Sequence, residues 1–223
     1  MAWRASARSN AGLIENLKEF GLVKSQRILE AMLKVDRANY CPREPYGDHP
    51  VPIGHGQTIS APHMHAYCLE LLEEKLQPGA NVLDVGCGSG YLVACMAHLV
   101  VNGEEGKVTG IELVPKLVEL ARENLAKDQP TLVGSANIVV ECGDGWQGCP
   151  THAPFDLIHV GAAAASVPQS LLDQLKPTGR LVIPVGPENG AQSLMQYDKR
   201  EDGGIDEKEL FGVRYVPLVQ PGA

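Results

Sequence analysis

The stretch VLDVGCGSGY sets Gly86, Gly88 and Gly90 two residues apart, directly after an apolar run with the rhythm of a buried strand and before one with the rhythm of a helix. Glycines in that place let the backbone approach a ligand closely. The spacing is G-x-G-x-G, not the G-x-G-x-x-G that seats a pyrophosphate on a helix N-terminus. Asp84, just upstream, suits a cationic or amino-bearing ligand better than a phosphate. Glu112 closes the next strand, KVTGIEL, where a carboxylate can take both hydroxyls of a ribose. Asp144, in CGDGW after the third strand, stands where an adenine amino group would be read. Singly, each has a plain structural alternative: a tight turn, a solvated strand end, a turn residue. Together, the three carboxylates fall at the carboxyl ends of successive parallel strands, where open α/β sheets bind ligands. That constellation fits S-adenosyl-L-methionine.

The elements that must hold these residues follow from the hydrophobic rhythm. After Gly79, strand-like and helix-like segments alternate: NVLDVG, YLVACMAHLV, KVTGIEL, VPKLVELARENLAK, ANIVVECGD, FDLIHVGAA, VPQSLLDQLKP and GRLVIPVG. Strands alternating with helices imply a parallel sheet covered on both faces, because parallel neighbours need crossover connections. QSLMQYDKR and ELFGVRYVPLV have no helix between them, so they should pair antiparallel at one edge, with KREDGGIDEKE as the hairpin excursion. The expected fold is α/β, a doubly wound sheet of seven strands whose last strand is antiparallel. Residues 1–78 read as a helical and loop extension: LIENLKEF and SQRILEAMLKVD carry apolar residues at helical spacing, with Ser25 as a candidate N-cap. YCPREPYGDHPVPIG breaks that pattern with four prolines and reads as a loop. Residues 79–223 are the cofactor-binding core, and the whole is expected to be one compact domain.

A chain of 223 residues suits a single core. Apolar residues make up 44%, with no run near the ~20 that a spanning helix requires, and MAWRASARSNAG lacks the apolar block of a signal peptide. The expectation is a cytoplasmic protein with no membrane partner. A formal charge of −8 argues against non-specific nucleic-acid binding. Six cysteines, at 41, 68, 87, 95, 142 and 149, form no C-x-x-C pair; they read as reduced, mostly buried thiols, with no metal site expected. Without a heptad or a long exposed apolar helix, a monomer is expected.

GQTISAPHM, LDVGCGSGY, HVGAAA, QLKPTGRLVIPVG and YVPLV together resemble the protein-L-isoaspartate (D-aspartate) O-methyltransferase family, over residues 10 to 219. Its members are class I (Rossmann-like) methyltransferases. Cys87 occupies a variable loop position, and Thr178 stands where the family's KPGGR turn has glycine, which leaves Gly179 to carry any positive φ. The resemblance implies transfer of a methyl from S-adenosyl-L-methionine, leaving S-adenosyl-L-homocysteine, to the free α-carboxylate of L-isoaspartyl residues in damaged peptides and proteins. The ester then collapses to a succinimide without further catalysis. It implies cofactor contacts from Gln57, Thr58, Ile59, His65, Asp84, Gly86, Gly88, Ser89, Gly90, Glu112, Leu113, Asp144 and Gly145. Substrate contacts fall to Thr58, Ser60 and Val216, and the catalytic role to Ser60.

The acceptor carboxylate is already ionised at pH 7, since an α-carboxyl has a pKa of roughly 3.3–3.7. Alignment therefore replaces a strong general base. ISAPHMHAY starts a helix, with Pro62 in the first turn and Met64, Cys68, Leu71 and Leu72 as one apolar face. Its free amides and the hydroxyls of Thr58 and Ser60 favour an anion without a cation; from spacing alone Ser60 reads first as a plain N-cap, and it is the family resemblance that turns the reading toward the acceptor carboxylate. His63 and His65 point in different directions and do not suggest a metal site. Trp146 is core or an adenine cover. Val216 is expected on an edge strand that could pair with an extended peptide. The competing readings are a methyltransferase of another carboxylate, a small molecule or RNA, a nicotinamide oxidoreductase, and a non-catalytic adaptor indifferent to loss of Asp84 and Glu112.

Overall fold

The computed structural model describes residues 5–103, 105–134, 136–220 and 222. A seven-stranded sheet runs in the order β5-β4-β3-β6-β7-β8-β9, built from β3 (Asn81–Val85), β4 (Lys107–Glu112), β5 (Ile138–Cys142), β6 (Phe155–Val160), β7 (Leu175–Val185), β8 (Gln192–Lys199) and β9 (Ile205–Val213). β3 to β7 are mutually parallel; β8 pairs antiparallel with β7, and β9 antiparallel with β8. The last two strands therefore form the expected antiparallel edge, with β8 alone opposing the other six.

The chain leaves β3 toward β4 and β5, then returns to add β6 and β7 on the other side. The carboxyl ends of β3 and β6 thus flank the topological switch point, the crevice where such sheets bind ligands. Side chains alternate across the sheet with period two. Val82, Leu157 and Val182 pack into one core with α4 (Tyr91–Val100) and α5 (Pro115–Asp128), while Leu83, Val85, Ile158 and Ile183 pack into a second with the short helix Gln169–Asp173. The same alternation puts Asp84 on the face of Val82 and His159 on that of Leu157, and the two are direct register partners.

Before the sheet come α1 (Asn10–Glu19), α2 (Gln26–Lys34) and α3 (Pro62–Leu72). Ser9 caps α1 by accepting the Gly12 N–H. Ser25 sits at the N-cap of α2, but its side chain makes no capping bond; Glu70 of α3 instead accepts the Lys24 and Ser25 amides, tying the two helices together. The proline-rich stretch is not all loop. Val51–Gly54 (β1) and Gln57–Ile59 (β2) pair antiparallel around a turn in which Gly54, His55 and Gly56 all have positive φ, so the QTI of GQTIS lies on a strand.

Two expectations about local geometry are corrected. Thr178 itself takes the left-handed conformation, φ 66, and Gly179 does not carry it. Gly179 is needed for closeness: an added Cβ would lie 2.9 Å from the Lys176 carbonyl oxygen and 3.1 Å from those of Phe155 and Asp156. The buried face of α3 includes His65, Cys68, Leu69 and Leu72, an i, i+3, i+4, i+7 set that keeps Cys68 and Leu72 of the expected stripe but has His65 and Leu69 in place of Met64 and Leu71, which leaves Met64 beside an outer cleft. Among the described residues no helix is long and apolar enough to cross a membrane, and all six cysteines are free, Cys142 alone being exposed.

Candidate functional site

Gly86, Gly88 and Gly90 take φ of 71, 54 and 90 as the chain turns from β3 into α4. The loop is pinned by the Gly86 and Cys87 amides donating to the Ile111 carbonyl on β4, and a Cβ on Gly90 would press on Ala121 and Leu125 of α5. Glu112 reaches back to this loop: its Oε2 accepts the Gly88 N–H at 3.1 Å and its Oε1 the Val114 N–H at 3.1 Å. Both carboxylate oxygens are thereby oriented and keep lone pairs toward the hollow.

Two adjoining hollows lie over the switch point. One is lined by Gln57, Thr58, Gly86, Gly88, Glu112, Leu113, Gly145 and the Val216–Val219 segment. The other is lined by Thr58, Ile59, Ser60, His65, Asp84, Ser89, Tyr91 and His159 among others. A larger outer cleft of about 600 Å³ is bordered by Ser60, His63, Met64, Arg214, Tyr215 and Val216. Thr58 and Gly161 line all three spaces, and Ser60 lines the second and the outer one. Asp144 borders none of these spaces. Its Oδ1 accepts the Trp146 N–H at 2.9 Å, closing a turn, while Oδ2 has no protein partner among the described residues.

Ser60 is not an N-cap. Ala61 occupies that position without a capping bond, and the cap comes from far away in sequence: Asp48 Oδ1 accepts the His63 N–H at 3.0 Å and pairs with His63 Nδ1 at 2.7 Å. The start of α3 therefore already holds a buried carboxylate and is not a vacant anion site. Nor is the segment without a cation. Arg37, fully buried in a 3-10 turn (Arg37–Asn39), donates from Nη2 to the Ser60 carbonyl at 2.8 Å, faces His65 Nδ1 at 3.2 Å and lies over the Tyr91 ring. No carboxylate pairs with it among the described residues. Burial and the Arg37 charge push His65 well below the ordinary histidine range, so it is neutral.

At the floor of the second hollow, His159 Nδ1 lies 2.7 Å from Asp84 Oδ1, both side chains almost wholly buried. Burial pulls His159 down, but its hydrogen bonds to Asp84 and Cys68 outweigh that and push it up to about 10. The Tyr215 hydroxyl in turn interacts with Cys68 and Ser60, and burial raises its pKa. Tyr215 and Ser60, both half-buried, carry the polar surroundings of the Asp84–His159 pair out toward the outer cleft. Sequence reasoning passed over His159, Tyr215, Arg37 and Asp48; the one visible signal was a lone histidine in the apolar strand FDLIHV.

Val216 lies beyond β9, and its carbonyl accepts the Ala163 N–H at 2.8 Å. The edge strand expected to pair with an extended peptide is therefore corrected: this backbone already pairs with Ala163. Trp146 packs in the second core and donates to the Leu218 carbonyl at 2.8 Å, holding down the segment that roofs the first hollow. His63 and His65 do diverge, one toward the outer cleft and one inward.

A doubly wound sheet with an acid and a glycine loop at the end of its first core strand, and a second acid at the end of the next, defines a class I methyltransferase fold. The residues fit S-adenosyl-L-methionine: glycines leave room for it, Glu112 is preset for two hydroxyls, and Asp84 offers a buried charge. The chain belongs to the protein-L-isoaspartate (D-aspartate) O-methyltransferase family, whose sequence pattern matches residues 8–222. It is 48% identical to the protein-L-isoaspartate O-methyltransferase of Triticum aestivum, covering 98% of this chain and 94% of the wheat protein. Against that of Caenorhabditis elegans it is also 48% identical, covering 98% and 96%. A Plasmodium falciparum structure described as a protein-L-isoaspartate O-methyltransferase in complex with S-adenosyl-L-homocysteine superposes with a TM-score of 0.88, at 38% identity, over 96% of this chain and 99% of that one.

Proposed function

We propose that Ser60 holds the acceptor carboxylate where the cofactor hollow opens into the outer cleft, and that the surrounding residues divide the remaining tasks as follows. As a member of its family, the chain methylates the free α-carboxylate of L-isoaspartyl residues, initiating repair of damaged peptides and proteins. S-adenosyl-L-methionine, when bound, supplies an electrophilic methyl on a sulfonium. Glu112 takes the ribose hydroxyls, with Leu113 and Gly145 against the nucleoside and Asp144 Oδ2 toward the adenine amino group. Gly86, Gly88, Ser89 and Gly90 shape the cradle with Gln57, Thr58, Ile59 and His65, and Asp84 receives the ammonium end. His159, protonated, offsets the cost of burying the Asp84 charge and fixes its orientation.

The acceptor needs no proton removed. What the chain must do is bring two groups into line and exclude water, a contribution that can reach about 7–11 kcal/mol. Ser60 donates its hydroxyl to the acceptor, Thr58 adds a second donor, and the Arg37 guanidinium behind the Ser60 carbonyl biases the local potential toward an anion. Arg37 remains charged at neutral pH because it is an arginine. Arg214 and His63 border the cleft that the peptide enters, with Val216 forming part of its wall. The observation that carries this reading is that Ser60 lines both the inner hollow and the outer cleft while a remote Asp48 does its helix-capping work. The protein acts as a cytoplasmic monomer, consistent with its charge and the lack of a spanning helix among the described residues.

The test is incubation with a labelled methyl donor and paired peptides that differ only in an L-isoaspartyl or a normal aspartyl linkage. Base-labile label on the isoaspartyl peptide alone is the expected result; equal labelling of both, or labelling of small acids in preference, would replace it with a broader carboxyl methyltransferase. Glu112→Ala should weaken donor affinity more than peptide affinity, and equal weakening of both would remove its ribose role.

A further inference from the structure

Three ligand-type side chains that the methyl transfer does not use converge at the β5 edge of the sheet. Glu141 lies on β5, and Cys149 and His152 lie on the turn that follows Trp146, closed by the His152 N–H donating to the Cys149 carbonyl. Cys149 Sγ is 3.0 Å from Glu141 Oε1, and His152 Nε2 is 3.7 Å from the same oxygen. The three ligand atoms all lie within 4.8 Å of one another. Zinc bound to one sulfur, one nitrogen and one oxygen at ordinary bond lengths in a tetrahedron sets its ligands about 3.4–3.6 Å apart, so small side-chain adjustments bring all three onto one ion. The sulfur is inside and the imidazole and carboxylate are a third exposed, which gives an ion a way in and leaves room for a water as fourth ligand. Thr151 Oγ1, 3.4 Å from the sulfur, offers an outer hydrogen bond of the kind that orients a thiolate ligand.

We propose that Glu141, Cys149 and His152 form a binding site for a borderline-soft divalent ion of the zinc type. Thiolate and imidazole select zinc or cobalt over calcium or magnesium, which prefer oxygen cages. On binding, the Cys149 S–H···O bond to Glu141 gives way to a metal–sulfur bond, and the thiol proton leaves to solvent. The ion would join the end of β5 to the loop carrying Asp144, Gly145 and Trp146, so its role is to brace that loop and not to take part in methyl transfer.

Cobalt(II) is the probe, because a thiolate ligand announces itself by a sulfur-to-cobalt charge-transfer band in the near ultraviolet. The full chain, kept reduced, should bind one equivalent with that band, and zinc should bleach it. Cys149→Ser should abolish the band, and His152→Asn should weaken binding at least about tenfold, given that loss of even an outer partner costs about 10–100-fold. Cys142→Ser removes the exposed thiol and should change nothing. Absence of the band, its persistence at full strength in His152→Asn, or its loss in Cys142→Ser would each overturn the site. His152 is the more exposed ligand, so its variant carries the test if Cys149→Ser does not fold. Methyl transfer by metal-free protein should be retained, which separates this site from the cofactor and Ser60 assignments.

Discussion

Ser60 shows how a single residue's job depends on what its neighbours already do. Because Asp48 caps α3, Ser60→Ala removes no cap. It should lower kcat by roughly 10- to 150-fold, about 1.5–3 kcal/mol for a hydrogen bond to a charged group, while the thermal midpoint stays within a degree or so of the parent; a loss of activity matched by a loss of stability would return Ser60 to a structural role. The two buried histidines give opposite pH slopes. His65 is held neutral, below its unfolded value of about 6.5, so its share of stability is present above that pH and is lost as pH falls. His159 is raised to about 10, so its contribution is complete below about 6.5 and is lost as pH rises through about 10. Denaturant titrations across pH should therefore show stability declining from near neutrality toward pH 10, and His159→Gln should flatten that alkaline slope.

At the scale of elements, the opening of β7 stores strain. Leu175 pairs with Phe155, yet Arg180 pairs with Leu157, so the intervening residues bulge, and the exposed Thr178 sits within them at φ 66. A β-branched residue there costs about 1–3 kcal/mol, against about 0.5–1 kcal/mol of extra chain entropy for glycine. Thr178→Gly should stabilise the protein by about 1 kcal/mol, or ~2–4 °C in Tm for a chain of this size, with methyl transfer unchanged. Gly179→Ala should do the reverse, since its new methyl meets three carbonyl oxygens. The strand and helix rhythm announced β3 to β7 and their crossovers, but the β1–β2 hairpin was hidden. Its strands are three and four residues long and lie among prolines and glycines, too short for periodicity to rise above turn chemistry.

Across the whole molecule, the cofactor hollow is assembled from pieces distant in sequence: β2, the turns after β3 and β4, the Gly143–Gly145 turn and the 216–219 segment. A ligand that joins them stabilises only the folded state. S-adenosyl-L-homocysteine at 100 times its Kd should add about 2.7 kcal/mol, read as a rise in Tm that is diminished in Glu112→Ala; an unshifted midpoint at saturation would mean that the hollow does not bind it. The 216–219 segment is held by Trp146 and Ala163, so the roof of the hollow shares the fate of the second core.

The glycine loop, the acids at strand ends and the parallel pairing of the core strands were legible from sequence because each is written in local composition and period. Tertiary structure alone decided which polar groups meet: Asp84 with His159 across a strand register, Asp48 with the start of α3, Arg37 beneath Ser60, and Glu141 beside Cys149 and His152. The reason is physical. A strand's period is set by its own backbone, whereas a buried charge finds its partner only once separate elements have packed and removed the water that would otherwise have served it.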